Sequence, residues 1–236
     1  MGWLTPERYA AELVSETARL AAAATRRPPG ATVEACPEWT VRDLVTHVGT
    51  GHRLAAGIIE ERRDSMAPYH LIDAPDDQSE WPAWLAAGAE RLTAAVDDLG
   101  FDGTVWTWQP KHQTAGFWLR RMVHDEIIHR FDAEPGGELA PDLAADGIAD
   151  MLLTLEHFKT LQGTGSLLFT ATDTGQSWRV TLTPGGITWA TSAEGADVHC
   201  RAPVRDLLLI LNRRREPESL DGDRALFERW WAGSRF

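Results

Sequence analysis

Trp118-Leu119-Arg120-Arg121-Met122-Val123-His124-Asp125-Glu126-Ile127-Ile128-His129-Arg130-Phe131-Asp132-Ala133-Glu134 is the stretch on which the reading of the fold turns. Apolar residues recur at Trp118, Met122, Val123, Ile127, Ile128 and Phe131, the spacing of an amphipathic helix. A helix advances about 100° per residue, so Asp125 and His129 stand one turn apart on the same side. Trp118 and Met122 begin nearly the same line. Polar groups left unsatisfied on such a stripe are costly. A divalent metal satisfies both, because imidazole nitrogen and carboxylate oxygen are ordinary zinc ligands. The competing explanation is a solvated face held by i,i+4 ion pairs, and for an isolated Asp-x-x-x-His it is the commoner one.

Upstream, the spacing predicts helices over 5–25, 40–63 and 79–99. Thr40 with Asp43 three residues later imitates a capping box and marks the start of the second. His47 falls in the apolar stripe of that helix. A lone histidine in such a place is more often a satisfied core residue than a ligand. His52, five residues on, points about 140° away and is read as reaching a pocket rim. The polar, proline-bearing stretch 64–79 is long enough to shape the entrance to a site. Downstream, Pro135-Gly136-Gly137 ends the organising helix, and a further helix is expected over 141–158. Short β-rich runs follow at 167–172, 178–182, 187–190 and 198–200, with a turn at 183–186. Helices over 203–212 and 223–231 close the chain. The pattern is an antiparallel helical bundle over 1–160, then a small α+β domain over 161–236.

Composition narrows the function. A 236-residue chain with 43% hydrophobic and 25% charged residues has the balance of a globular protein. A net charge of −12 argues against a broad nucleic-acid surface. No stretch approaches the length of a membrane span, and the first residues lack a signal-peptide layout, so a cytoplasmic protein is expected. Cys36 and Cys200 are far apart, and nothing marks either as a nucleophile. Eleven tryptophans against two tyrosines fit either core packing or an aromatic-lined cleft, with Trp81/Trp84 and Trp106/Trp108 as close-spaced pairs.

Three blocks carry a family resemblance. Cys36-Pro37-Glu38-Trp39-Thr40-Val41-Arg42-Asp43-Leu44-Val45-Thr46-His47 resembles the C-P-x-W-x-x-x-D-L-x-x-H block of mycothiol-dependent maleylpyruvate isomerase-like proteins, which belong to the DinB-like metal-binding superfamily. The organising stretch resembles that family's R-R-M-x-H-E-x-x-x-H-R-x-D-A-E block. The tail 198–231, with Arg205-Asp206-Leu207-Leu208-Leu209 and Asp221-Gly222-Asp223, is similar to its smaller C-terminal domain.

The resemblance implies a DinB-like antiparallel four-helix bundle followed by a small α+β C-terminal domain. It also implies a divalent metal, zinc by expectation, held by His47, Asp125 and His129. Three ligands leave an open position, as catalytic zinc requires. Asp125 departs from the family's usual glutamate. It is one methylene shorter, so its oxygen falls roughly 1.5 Å short unless the helices approach more closely. Glu126 points about 100° away and cannot substitute. His124 is read as packing or supporting, and Asp132 as a structural partner.

By the same resemblance the reaction uses a low-molecular-weight thiol, with mycothiol as co-substrate and maleylpyruvate as the type of electrophile, in isomerisation or S-transfer. Metal at an open position favours the thiolate of a bound thiol. His52, Arg53, Arg121, Trp108, Arg201 and Arg205 are the candidates for holding thiol or substrate. Neither nucleic acid nor membrane is expected as a partner, and the protein is expected as a monomer or homodimer. The rival readings are a non-catalytic bundle that binds a small molecule, which needs no metal, and a metal-dependent hydrolase, which turns over without thiol.

Overall fold

The computed structural model describes residues 2–66, 68–158 and 161–234. The chain forms two compact units, Leu4–Gly137 and Glu138–Phe236, the latter joined by Met1–Trp3. The first unit is a four-helix bundle of α1 (Pro6–Thr25), α2 (Val41–Glu60), α3 (Trp81–Leu99) and α4 (Ala115–Ala133). Thr5, Thr40 and Thr114 each cap a helix by accepting a backbone N–H. At α2 the cap is a full box: Asp43 also accepts the Thr40 N–H at 2.8 Å.

Cross-helix contacts give the topology. Tyr9 meets His124, Glu16 pairs with Arg130, and Arg27 donates to the carbonyls of Asp132 and Ala133, so α1 and α4 run in the same direction. Gly49 lies against Trp84, Gly88 against His52 and Arg53, and Glu60 pairs with Arg91, so α2 and α3 also run together. A Cβ at Gly49 would sit 2.0 Å from the Trp84 ring, so only glycine admits that approach. Met122 against Gly51 and Asp125 against His47 make α2 and α4 antiparallel.

Two parallel neighbours cannot be joined by a short turn, because the chain must travel back a whole helix length. Part of the segment 61–80 makes that return along α2. Ile72 and Ala74 donate backbone N–H groups to Thr50 and Thr46, each at 3.0 Å, and Arg42 reaches Asp76. A two-stranded hairpin, β1 (Thr32–Val33) with β2 (Cys36–Thr40), joins α1 to α2.

Burial on α4 differs from the one-sided stripe read in the sequence. Every residue from Ala115 to Ala133 is buried except Arg121 and Asp125, one turn apart. Arg120, His124, Glu126, Arg130 and Asp132 are among the buried ones. Polar residues that look solvent-facing in the pattern are enclosed instead.

The second unit is α+β. Its sheet has the order β5-β4-β3-β6-β7, formed by β3 (Gly165–Ala171), β4 (Ser177–Thr183), β5 (Gly186–Thr191), β6 (Val198–Ala202) and β7 (Ser219–Gly222). β3 and β6 are parallel and the other neighbours antiparallel. Alternation puts Leu167, Phe169, Trp178, Val180, Val198 and Cys200 on the buried face. Its helices are α5 (Pro141–Phe158), α6 (Val204–Leu211) and α7 (Arg224–Gly233). The division falls after Gly137 rather than at residue 160, because α5 packs on α6 and β5. Residue 160 itself lies outside the described residues. No helix among them is long and apolar enough to cross a membrane.

Candidate metal centre

The box at Thr40 fixes where α2 starts and so which way its side chains point. His47, two turns in, presents an imidazole whose side chain is 33% exposed. Across from it on α4, Asp125 and His129 stand one turn apart. The ligand atoms of His47, Asp125 and His129 all lie within 4.8 Å of one another. His47 Nε2 is 3.5 Å and His129 Nε2 3.7 Å from Asp125 Oδ2. Two ligands about 2.1 Å from one tetrahedral ion lie about 3.4 Å apart, so both separations suit a shared zinc-sized ion. Two imidazole nitrogens and one carboxylate oxygen form a donor set that fits the metal implied by the sequence. Gly51 faces Met122, where even a Cβ would come within 3.3 Å of the sulfur.

Neighbours fix the orientation of each ligand. Arg121 Nη2 donates to Asp125 Oδ1 at 2.7 Å, which leaves Oδ2 for the cluster. Burial alone would raise the Asp125 carboxyl, but Arg121, His129 and His47 outweigh it and hold the group well below the usual carboxylate range. Asp125 is therefore ionised. His129 Nδ1 is 2.9 Å from Asp132 Oδ2, and the Asp132 side chain is fully enclosed. A carboxylate accepts, so Nδ1 carries a proton, and Nε2 is the ring nitrogen turned toward the cluster. The Trp39 ring lies 4.8 Å from that of His47 and 5.7 Å from that of His129, walling the site on one side. Burial, with the Asp125 charge nearby, raises the Tyr69 phenol and locates it within electrostatic reach of the cluster.

The trio read from the sequence is thus brought together. Of the thiol and substrate candidates, only Arg121 touches it. His52 does not reach a rim: it is 1% exposed, with its Nε2 2.9 Å from Glu126 inside the bundle. The turn of about 140° from His47 to His52 leads toward the interior between helices. Arg53 is occupied as well, donating to the carbonyls of Gly49 and Trp84 with its guanidinium over the Trp84 ring. Trp108 packs edge-on against Phe117 at 4.9 Å. Arg201 and Arg205 belong to the second unit, paired there with Asp221 and Asp206. His124 is buried edge-on to Tyr9, a packing role. Sequence reasoning missed Trp39 and Tyr69. Trp39, next to the capping residue, carried a positional signal; Tyr69, in an irregular segment, carried none.

Comparison with known proteins adds two findings. The profile of the Mycothiol maleylpyruvate isomerase N-terminal domain matches residues 10–134, just over half of the chain and nearly the whole bundle. Among solved structures, the mycothiol-dependent maleylpyruvate isomerase is similar at 15% identity over 90% of each chain, with a TM-score of 0.63. A point mutant of the same protein is similar at 14% identity with the same coverage and TM-score. At such identities the likeness is one of fold. No curated protein matches the sequence.

Proposed function

The chain belongs to the mycothiol maleylpyruvate isomerase N-terminal domain family, and from that premise we propose a metal-dependent enzyme that uses a low-molecular-weight thiol. Its co-substrate is mycothiol or a close analogue. It acts on a small electrophile such as maleylpyruvate, as an isomerase or an S-transferase. The observation that carries this reading is the convergence of His47, Asp125 and His129 from two facing helices onto one point.

A zinc-type ion held there supplies positive charge that favours the thiolate form of a thiol near neutral pH. Three protein donors are the number that catalytic sites use. Asp132 keeps a proton on His129 Nδ1, with Nε2 turned toward the cluster. Arg121 holds Asp125 ionised and in one rotamer. Trp39 shields both imidazoles from water on its side. Tyr69, with its raised phenol, stays protonated near neutral pH and can donate a hydrogen bond. Burial pushes the Cys200 thiol up to about 11, which disfavours its thiolate near neutral pH.

In isomerisation the thiolate sulfur bonds to an alkene carbon conjugated to a carbonyl, and the π pair shifts to the carbonyl oxygen. Rotation about the resulting single bond follows. The C–S bond then breaks and returns the thiolate, with no net proton or electron consumed. In S-transfer the C–S bond is kept, and a proton is added or a leaving group departs with its electron pair.

The test is turnover of maleylpyruvate and of a neutral alkyl halide by metal-loaded protein, with and without mycothiol. Thiol-dependent turnover abolished by chelation and by His47→Ala is the expected outcome. Turnover independent of thiol, or none with any thiol, would overturn the reading.

A further inference from the structure

One buried pair near the centre has no part in the mechanism. His52 on α2 and Glu126 on α4 are 1% and 0% exposed. His52 Nε2 lies 2.9 Å from Glu126 Oε2, yet no polar atom of either side chain makes a well-directed hydrogen bond. Burying two ionisable groups with such poor satisfaction is unfavourable. It calls for a reason beyond packing.

Location supplies one. The contacts between the antiparallel α2 and α4 form a ladder: His47 to Asp125 and His129, Gly51 to Met122, His52 to Glu126. The lower two rungs lie within about a turn and a half of the ligands. Both lie where the helices meet, one at a glycine and one at an ionisable pair at contact distance. The separation of the helices is what a short ligand depends on. The aspartate at 125 lacks a methylene of the family's usual glutamate, and it still reaches 3.5 Å from His47.

The geometry points to His52 and Glu126 as positioning residues, a clamp that holds α2 and α4 at the spacing where Asp125, and not a longer side chain, completes the metal site. This rests on the metal-dependent reading above.

The experiment is a double-mutant cycle on metal affinity, read by chelator competition and by the visible spectrum of the Co²⁺-loaded protein, with circular dichroism reporting the fold. Asp125→Glu is expected to weaken binding about tenfold, and so is Glu126→Ala. Combining them should restore part of the loss, because released helices accommodate the longer ligand. If Glu126→Ala does not fold, the pair His52→Leu/Glu126→Met removes the clamp while filling the space with apolar atoms, a replacement proteins often tolerate. Simple additivity, unchanged affinity without the clamp, or tighter binding by Asp125→Glu alone would overturn the inference and leave the metal site standing. Wild type that takes up no metal would instead defeat the reading on which it rests.

Discussion

Two histidine-containing polar clusters, one in each unit, use similar residues to opposite ends. On the sheet, Arg201 donates to His199 Nδ1. A guanidinium cannot accept, so His199 carries its proton on Nε2 and donates to Thr170 Oγ1 at 2.8 Å. Thr170 in turn shares a hydrogen bond of 3.0 Å with Ser177, and Arg201 is paired with Asp221. Donors alternate with acceptors, and the chain of bonds satisfies itself. In the bundle, Asp125 Oδ2 and His129 Nε2 stand 3.7 Å apart, too far for a hydrogen bond between them. The cluster does not close on itself, and the gap suits a cation shared by the three side chains. Following whether the hydrogen bonds close, rather than counting histidines, separates a structural network from a candidate metal site.

The sharpest way to break this contrast is to remove one histidine from each cluster. His129→Ala should reduce bound metal from roughly one per chain to almost none, whereas His199→Ala should leave the metal content unchanged; elemental analysis of the purified proteins decides. Equal loss in both would erase the distinction. A smaller effect tests the orientation of His129. Asp132→Ala, which removes the partner of Nδ1, should weaken metal affinity about 10–100-fold, measured by chelator titration. Unchanged affinity would show that the imidazole needs no such support.

The smallest effect belongs to the sheet. Cys200 sits between His199 and Arg201 in β6, on the buried face. Its thiol keeps its proton up to about 11 in the folded protein, whereas an exposed thiol releases it near 9. Between those values the unfolded chain binds fewer protons, so stability falls as pH rises. The loss is about 1 kcal/mol at pH 10, and Cys200→Ala should remove that slope in urea unfolding curves measured from pH 8 to 10.5.

Much of this was legible in the sequence, wherever the information was local. Thr40 and Asp43 announced the start of α2, and their box formed. Asp125 and His129, four apart, shared a helix face as arithmetic required. Alternation in 178–182 marked a strand. What failed depended on neighbours. The polar residues of α4 gave no sign of being enclosed, because Arg130 and His129 are satisfied by Glu16 and Asp132 rather than by water. Ser219-Leu220-Asp221-Gly222 has no strand-like alternation and is a strand only because β6 offers it an edge. Pro37 disguised the hairpin ahead of α2. α5 looks like one more bundle helix, since amphipathicity does not name the surface that will cover it.

The return of the chain along α2 bears on how the protein assembles. α2 and α3 run in the same direction, so 61–80 and all of α3 intervene before α4 can bring Asp125 and His129 to His47. Contacts that close such long loops form late in folding, once chain entropy has been overcome. An ion bridging the two helices would therefore act mostly on the finished bundle. It would leave the folding rate almost unchanged and slow unfolding, a kinetic lock on the bundle.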